Sequence, residues 1–554
     1  MLTARPVRGG DTRSYDVVVL GAGIAGLVTA LDLLDLRPGL AIAVIDKGAA
    51  GTSGSTALAQ GGLAAAIGPA DTPARHAADT VRAGDGLADP QAAAVLSREA
   101  PARVDDLVAR GAAFDRNADG RLALAREGGQ SVPRSVHAAD ATGAAIFAAL
   151  RGRATGRLER LQGTACTLAV AGRPPRVRGA WVVVDDLEAN PSGPAQEAGL
   201  VLVRAPAVML ATGGCGGLYA VTTNRGDATA DGVALAAAAG ATLVDMEFVQ
   251  FHPTGLRPDL RASGHSPTTT VFARRQLLTE ALRGAGALLV DRTGRRFVAD
   301  YHPDAELAPR HVVTKAILDQ PDGAWLDATG LAPEVLASGF PTVLAGARAL
   351  GYDLATEPVP VEPCQHYMVG GVATDLWGRT SLPGLWAAGE VACTGVHGAN
   401  RMAGNSLAQS CVFAHRAAVS IGAALGDTPD GDDDGDPPAD GPAPVADLAA
   451  LRNDVRVAMS AGAGPVRTAD SLDATAKALE VAAAVLGDAQ PSLRRDAVEL
   501  AHMVAVGRVI VGSARLRAES RGVHWRDDAP APDPHWGGVR LQVRVPAGLA
   551  TPLV

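Results

Sequence analysis

The residues with the plainest chemical signature come early in the chain. Gly21-Ala22-Gly23-Ile24-Ala25-Gly26 follows the apolar run Val17 to Leu20, and Asp46 stands twenty residues beyond Gly26. Glycines at this spacing serve a pyrophosphate. Gly21 permits a tight turn, Gly23 lets phosphate approach the backbone, and Gly26 lets a helix lie close on a strand. The free N–H groups of the helix N-terminus then face the anion. Asp46 is placed to accept a ribose hydroxyl, so the stretch reads as a dinucleotide site. Four later segments concentrate polar side chains in apolar surroundings. They are Arg126-Glu-Gly-Gly-Gln-Ser131, Glu247-Phe-Val-Gln-Phe-His-Pro-Thr254, the run from Leu278-Thr-Glu to Arg310, and the run from Cys364-Gln-His-Tyr to Leu407.

The elements that must hold these residues can be read from periodicity. The β-branched run, a helical pattern through Leu27, Ala30, Leu31 and Leu34, and a second strand from Ala41 to Ile45 make a βαβ unit. The small-residue loop from Lys47 to Gly62 is too glycine-rich for a regular element. It either lies flat against a ligand or is a flexible surface loop. Residues 141–150 read as a helix with Asp140 as its cap. Residues 181–184 and 200–203 read as a β-hairpin. The stretch Ala207 to Gly214 reads as a buried strand running into glycines, and Leu382 to Glu390 has a similar shape, as strands do where a sheet's carboxyl edge meets a cofactor.

The fold class is therefore α/β with an α+β cap: a split, Rossmann-like cofactor domain, an inserted domain, and a helical C-terminus. The expected boundaries are 1–244 and 366–425 for the cofactor domain, 245–365 for the capping domain, 426–444 for a disordered acidic Pro/Gly linker, and 445–554 for the helical domain. Within the last, Leu493, Ala497, Leu500, Ala501 and Val504 share one face at helical spacing.

With 554 residues, the chain is long enough for two or three domains. A net charge of −9 and a pI near 5.8 argue against a nucleic-acid partner. The five cysteines are scattered with no C-x-x-C pair, which reads as reduced thiols of a cytoplasmic protein and no metal site. No stretch reads as membrane-spanning, since the longest uncharged window, 205–224, is broken by Thr-Gly-Gly-Cys-Gly-Gly. The arginines before the first strand do not make a secretory signal, because Asp16 and the glycine motif fall inside the apolar run.

Taken together, Ser-x-x-Ala-Gln-Gly-Gly, Gln-Phe-His-Pro-Thr, His-Gly-Ala-Asn-Arg and the terminal Glu519-Ser-Arg-Gly-Val-His524 resemble the flavoprotein family of the L-aspartate oxidases and the succinate dehydrogenase and fumarate reductase flavin subunits. The resemblance covers nearly all of the chain except the acidic linker. It implies FAD held by Gly21 to Gly26, Lys47, Ser55-Thr56-Ala57-Leu58-Ala59-Gln60-Gly61-Gly62, Asp231, Glu390, Ser406 and Leu407. It also implies a four-carbon dicarboxylate under the flavin ring, held by His252, His366 and Arg401, with Gln250 and Thr279 nearby. Arg310 falls at the family's proton-transfer position. On physical grounds, two separate donor clusters and planar guanidinium groups suit a dicarboxylate. Arg310 is either an acid–base residue, which needs burial and a second arginine to disfavour its charge, or a clamp on the substrate. His252 is either a substrate ligand or a structural hydrogen-bonding residue.

Two positions separate the branches of this family. Ser55-Thr56 stands where the succinate dehydrogenases carry a histidine bonded covalently to FAD, so the resemblance implies non-covalent FAD. Glu127 stands where the dehydrogenases carry an apolar residue. A carboxylate there would repel succinate and attract the ammonium of L-aspartate. Gln130 and Gly404 depart from the branch pattern, which commonly has His and Ser. The expected reaction is FAD-dependent oxidation of L-aspartate to iminoaspartate, with O₂ or fumarate as acceptor. By resemblance the product passes to quinolinate synthase on the route to NAD. The rival readings are a soluble fumarate reductase or succinate dehydrogenase subunit, and a non-enzymatic flavoprotein that docks through its helical C-terminus.

Overall fold

The computed structural model describes residues 12–48, 54–184, 199–258, 272–426, 437–438, 447–487 and 493–545. The expected linker at 426–444 lies, apart from Gly426 and Pro437-Pro438, outside the described residues.

A five-stranded parallel sheet carries the dinucleotide motif, in the order Leu385–Ala387, Ala207–Leu210, Val17–Leu20, Ile42–Asp46, Glu159–Gln162. Both faces are covered, which explains why Val17–Leu20 and Ala207–Leu210 are continuous apolar runs, buried along their length. Residues Val17 and Val19 point to one side, against helices Ile24–Leu36 and Asn405–Ala424. Residues Val18 and Leu20 point to the other. There the antiparallel strands Thr164–Ala171, Arg176–Val184 and Gly199–Arg204 follow. The pairing of Leu200 with Val183 places the expected hairpin in register.

That second core continues without a break into the C-terminal helices Leu448–Gly462, Ala469–Leu486 and Arg495–Leu516, through Met459, Leu479 and Val506. Among the described residues, Arg495–Leu516 is one helix long and apolar enough, by length and composition, to cross a membrane. It is mostly buried inside the protein, as the core helix of this bundle.

A third core lies within residues 256–361 and packs helices Arg310–Leu318 and Pro341–Ala349 against a mixed sheet. In that sheet, Val249–Leu256 pairs antiparallel with Val359–Met368.

One expected local contact is replaced. The helix after Asp140 spans Thr142–Ala154, but its N-cap is Ala141, with no side-chain cap. The Asp140 carboxylate instead accepts from the first amides of helix Pro341–Ala349, Thr342 N at 3.0 Å and Val343 N at 2.7 Å. Two otherwise free helix N–H groups thus satisfy the buried carboxylate from across the cleft.

Candidate active site

At the carboxyl edge of the parallel sheet lies a cavity of about 460 Å³. Gly21 to Ala25, Asp46, Lys47, Ser55 to Gln60, Asp231, Glu390, Ser406 and Leu407 line it, with His366 at its wall. Gly26, Gly61 and Gly62 do not. Gly26 does what its spacing demands of it, since a Cβ there would strike Gly21 O. Gly21 itself has φ +107 and abuts the backbone of Ala211. Thr56 Oγ1 accepts from Ile24 N at 3.1 Å, tying the glycine-rich loop to the helix N-terminus. Buried with no hydrogen-bond partner, Gln60 Oε1 asks for a ligand donor. A glycine turn leading into a helix N-terminus and an unpaired buried amide oxygen fit an elongated dinucleotide. His366 is the one histidine among the described lining residues.

The polar segments converge beside this cavity. A pair of register shifts explains how two strands aim their side chains. Gln250 pairs with Tyr367 and Phe251 with Gln365, so His366 is the residue left over in the ladder. A second shift falls after His252, where Pro253 and Thr254 are accommodated before Gly255. The rings of His252 and His366 then lie 5.1 Å apart. His252 Nδ1 accepts from Thr254 N at 3.2 Å, which leaves Nε2 as the N–H donor of a neutral ring. Burial, Arg310 and the His366 ring hold His252 far below the usual imidazole range. Burial, Arg310 and Arg401 do the same to His366.

Arg310 opens helix Arg310–Leu318, and its Nε lies 2.7 Å from Glu280 Oε2. Glu280 is the first residue of the short helix Glu280–Gly284, for which Thr279 is the N-cap. Burial works against its charge, but Arg310 and Arg283 keep its carboxyl below the usual range.

Gln250 lies between the two arginines of this cluster. Its Oε1 accepts from Arg310 Nη1 at 3.0 Å and Arg401 Nε at 3.2 Å, while its Nε2 donates to Asn400 Oδ1 and Arg401 O, both at 3.0 Å. With its amide engaged on both sides, Gln250 spaces two arginines. Arg401 also packs over the Tyr367 ring at 4.7 Å and donates to Ser406 Oγ at 3.1 Å. Its Nη2 is buried with no acceptor, the donor a ligand carboxylate would satisfy.

Glu127 is buried, with Oε1 accepting from Gly62 N at 2.8 Å. Gly128 beside it leaves room for Glu280, which a Cβ would strike. Burial, opposed by the Gly62 amide and reinforced by Glu280, pushes the Glu127 carboxyl up to about 7. Gln130 fixes this turn. Its Oε1 accepts from Glu127 N at 3.1 Å, and its Nε2 donates to Ser135 Oγ at 2.8 Å and Ala403 O at 3.3 Å. Gly404, at φ +80, lies against Ala64 and Ser135, a place where a side chain would be strained.

Sequence reasoning missed Glu280 and Arg283. Their spacing of three on a helix is also that of an ordinary surface ion pair, and only the buried position beside Arg310 sets them apart.

This architecture and cavity define a class, the FAD-binding flavoproteins. The FAD binding domain family matches residues 16–407, and the family described as fumarate reductase flavoprotein C-term matches residues 452–542. An E. coli quinol fumarate reductase chain superposes with a TM-score of 0.85 at 29% identity, over 97% of this chain and 96% of that one. An L-aspartate oxidase of Streptomyces coelicolor is 43% identical, covering 94% of this chain and 90% of its own. One of Caulobacter vibrioides is 42% identical, covering 93% and 94%. Within the class, the chain belongs to the L-aspartate oxidase family.

Proposed function

We propose that this chain oxidises L-aspartate to iminoaspartate at the cluster of Glu127, His252, His366, Arg310 and Arg401, with FAD held non-covalently in the adjoining cavity. FAD, when bound, supplies the two-electron redox chemistry. Arg401, whose buried Nη2 has no protein acceptor, takes one substrate carboxylate. The neutral Nε2–H of His252 and the ring of His366 take part in holding the other. Gln250 sets the distance between Arg310 and Arg401. Oxidation takes a hydride equivalent and a proton from the substrate; Arg310 receives the proton as its own Nε proton passes to the Glu280 carboxylate 2.7 Å away, so the guanidinium keeps its charge.

The observation that carries the choice of L-aspartate is the buried Glu127 carboxylate, fixed by the Gly62 amide next to this arginine cluster. An ammonium group satisfies a buried carboxylate, whereas succinate brings no cation to it. The residues between the two parts of the cofactor domain act as a cap over the site. Reoxidation by O₂ or fumarate, a cytoplasmic location and delivery of the product to quinolinate synthase complete the reading.

Glu127→Gln tests it. Losing one partner of a desolvated charge pair costs on the order of 2–5 kcal/mol, so kcat/KM for L-aspartate falls at least about tenfold. Fumarate reduction by the same preparation is retained. Equal losses in the two half-reactions would reduce Glu127 to a support of the Gly128-Gly129 turn.

A further inference from the structure

The C-terminal helices bring polar side chains against two residues of the cavity wall, Lys47 and Asp231, that neither the glycine motif nor the arginine cluster uses. From helix Arg495–Leu516, Glu499 Oε1 lies 3.4 Å from Lys47 Nζ, and His502 Nδ1 lies 3.0 Å from Asp231 Oδ1. Lys47 and Asp231 both line the cavity, and they hold each other at 2.8 Å. Thr229 Oγ1 joins them, 2.6 Å from Lys47 Nζ and 2.7 Å from Asp231 Oδ1. Behind Glu499 stand Arg452, with both terminal nitrogens 3.2 Å from Oε2, and Arg495, 3.3 Å from Oε1. Asp231, Glu499 and His502 are each less than a tenth exposed. The helix that carries Glu499 and His502 shares its apolar core with the parallel sheet, so these contacts sit on a rigid frame.

The position of the cluster says which end of the ligand it serves. Lys47 follows Asp46, the acid at the end of the second strand. In this type of fold that acid meets the ribose of the adenosine half, while His366 marks the other end of the cavity. A lysine side chain alone would sample many rotamers. Tied to Asp231, Thr229 and Glu499, its ammonium has one place. Asp231 is likewise committed, Oδ1 to His502 and Thr229 and Oδ2 to Lys47.

We propose that Glu499 and His502 are positioning residues for the adenosine half of FAD. They fix Lys47 and Asp231 at the cavity wall, so that the helical C-terminal region completes the cofactor site begun by the glycine motif. This rests on FAD as the cofactor and is independent of L-aspartate as the substrate, so its failure would leave the substrate reading untouched.

The full-length protein, stripped of flavin, is titrated with FAD, ADP and FMN by flavin-fluorescence quenching or calorimetry. Glu499→Gln, which removes the charge facing Lys47, and His502→Leu, which removes the hydrogen bond to Asp231, are each expected to weaken FAD and ADP roughly tenfold and to leave FMN within about twofold. ADP carries only the adenosine half and FMN lacks it, so the contrast reports on that end alone. Arg508→Ala breaks the 2.7 Å ion pair with Glu480 on the neighbouring helix without touching Lys47, and is expected to change none of the three affinities. Equal weakening of FMN and FAD would make Glu499 and His502 mere supports of the fold and overturn the proposal. Unchanged or tighter FAD binding in both variants would overturn it too. Should one variant fail to fold, the other carries the same ADP-against-FMN comparison.

Discussion

Glu127 and the two histidines face the same desolvation and respond in opposite senses. Burial drives the histidines to their neutral forms, which suits N–H donors to a carboxylate. It pushes Glu127 up to about 7, so that this carboxyl titrates near neutrality before substrate binds. Below about 7 Glu127 is protonated and offers the substrate ammonium no charge; above it the carboxylate is present. The kcat/KM for L-aspartate is therefore expected to rise with pH up to about 7 and level off, close to tenfold per unit on the acid limb. That limb should vanish in Glu127→Gln, and fumarate should not show it in either protein. A limb that survives the substitution would assign the titration to another group. Residue types at this scale were legible because His252, His366 and Arg401 sit in motifs too polar for their apolar flanks. The role of Gln250 was not, since its spacing of Arg310 and Arg401 depends on two ladder irregularities and on a segment 150 residues away. Glu499 and His502 escaped notice for the same reason, reaching the cavity only through packing of a remote helix.

At the scale of elements, the contact that links the walls of the cleft is Asp140. Its two carboxylate oxygens receive the first amides of helix Pro341–Ala349, and Asp140 and Thr342 both line the cavity. Removing an N-cap acceptor costs typically about 1 kcal/mol, or roughly fivefold in a local opening equilibrium. Asp140→Ala is accordingly expected to speed hydrogen exchange at Thr342 and Val343 by about that factor, with the helix Thr142–Ala154 unaffected. Faster exchange confined to Thr142–Ala154 would restore Asp140 to its sequence-local role. Sequence could name Asp140 as a cap because the residue type and its place before an apolar helix carry that signal. It could not say which helix, because the competing amides belong to a segment about 200 residues later.

Over the whole molecule, the parallel sheet serves two cores, one of which runs through to the C-terminal helices. The division into strand–glycine–helix units was legible because buried parallel strands are uniformly apolar and end in glycine. The fusion of the C-terminal bundle to the sheet was not, since periodicity reports that a helix has an apolar face and not what covers it. Ser55 and Thr56, which line the cavity, stand where the resemblance places the histidine of covalently bound FAD, so the proposal holds FAD non-covalently. Acid precipitation of the holoprotein is expected to leave all flavin in the supernatant; colour retained on the denatured chain would contradict this.

The most direct test of the account mixes the FAD-loaded protein anaerobically with L-aspartate or with succinate and follows the flavin absorbance. The arrangement of Glu127 beside Arg310 and Arg401 predicts that L-aspartate bleaches the oxidised flavin band rapidly and that succinate, lacking an ammonium for Glu127, does so far more slowly. Bleaching by succinate at the same rate or faster, with L-aspartate inert, would contradict it.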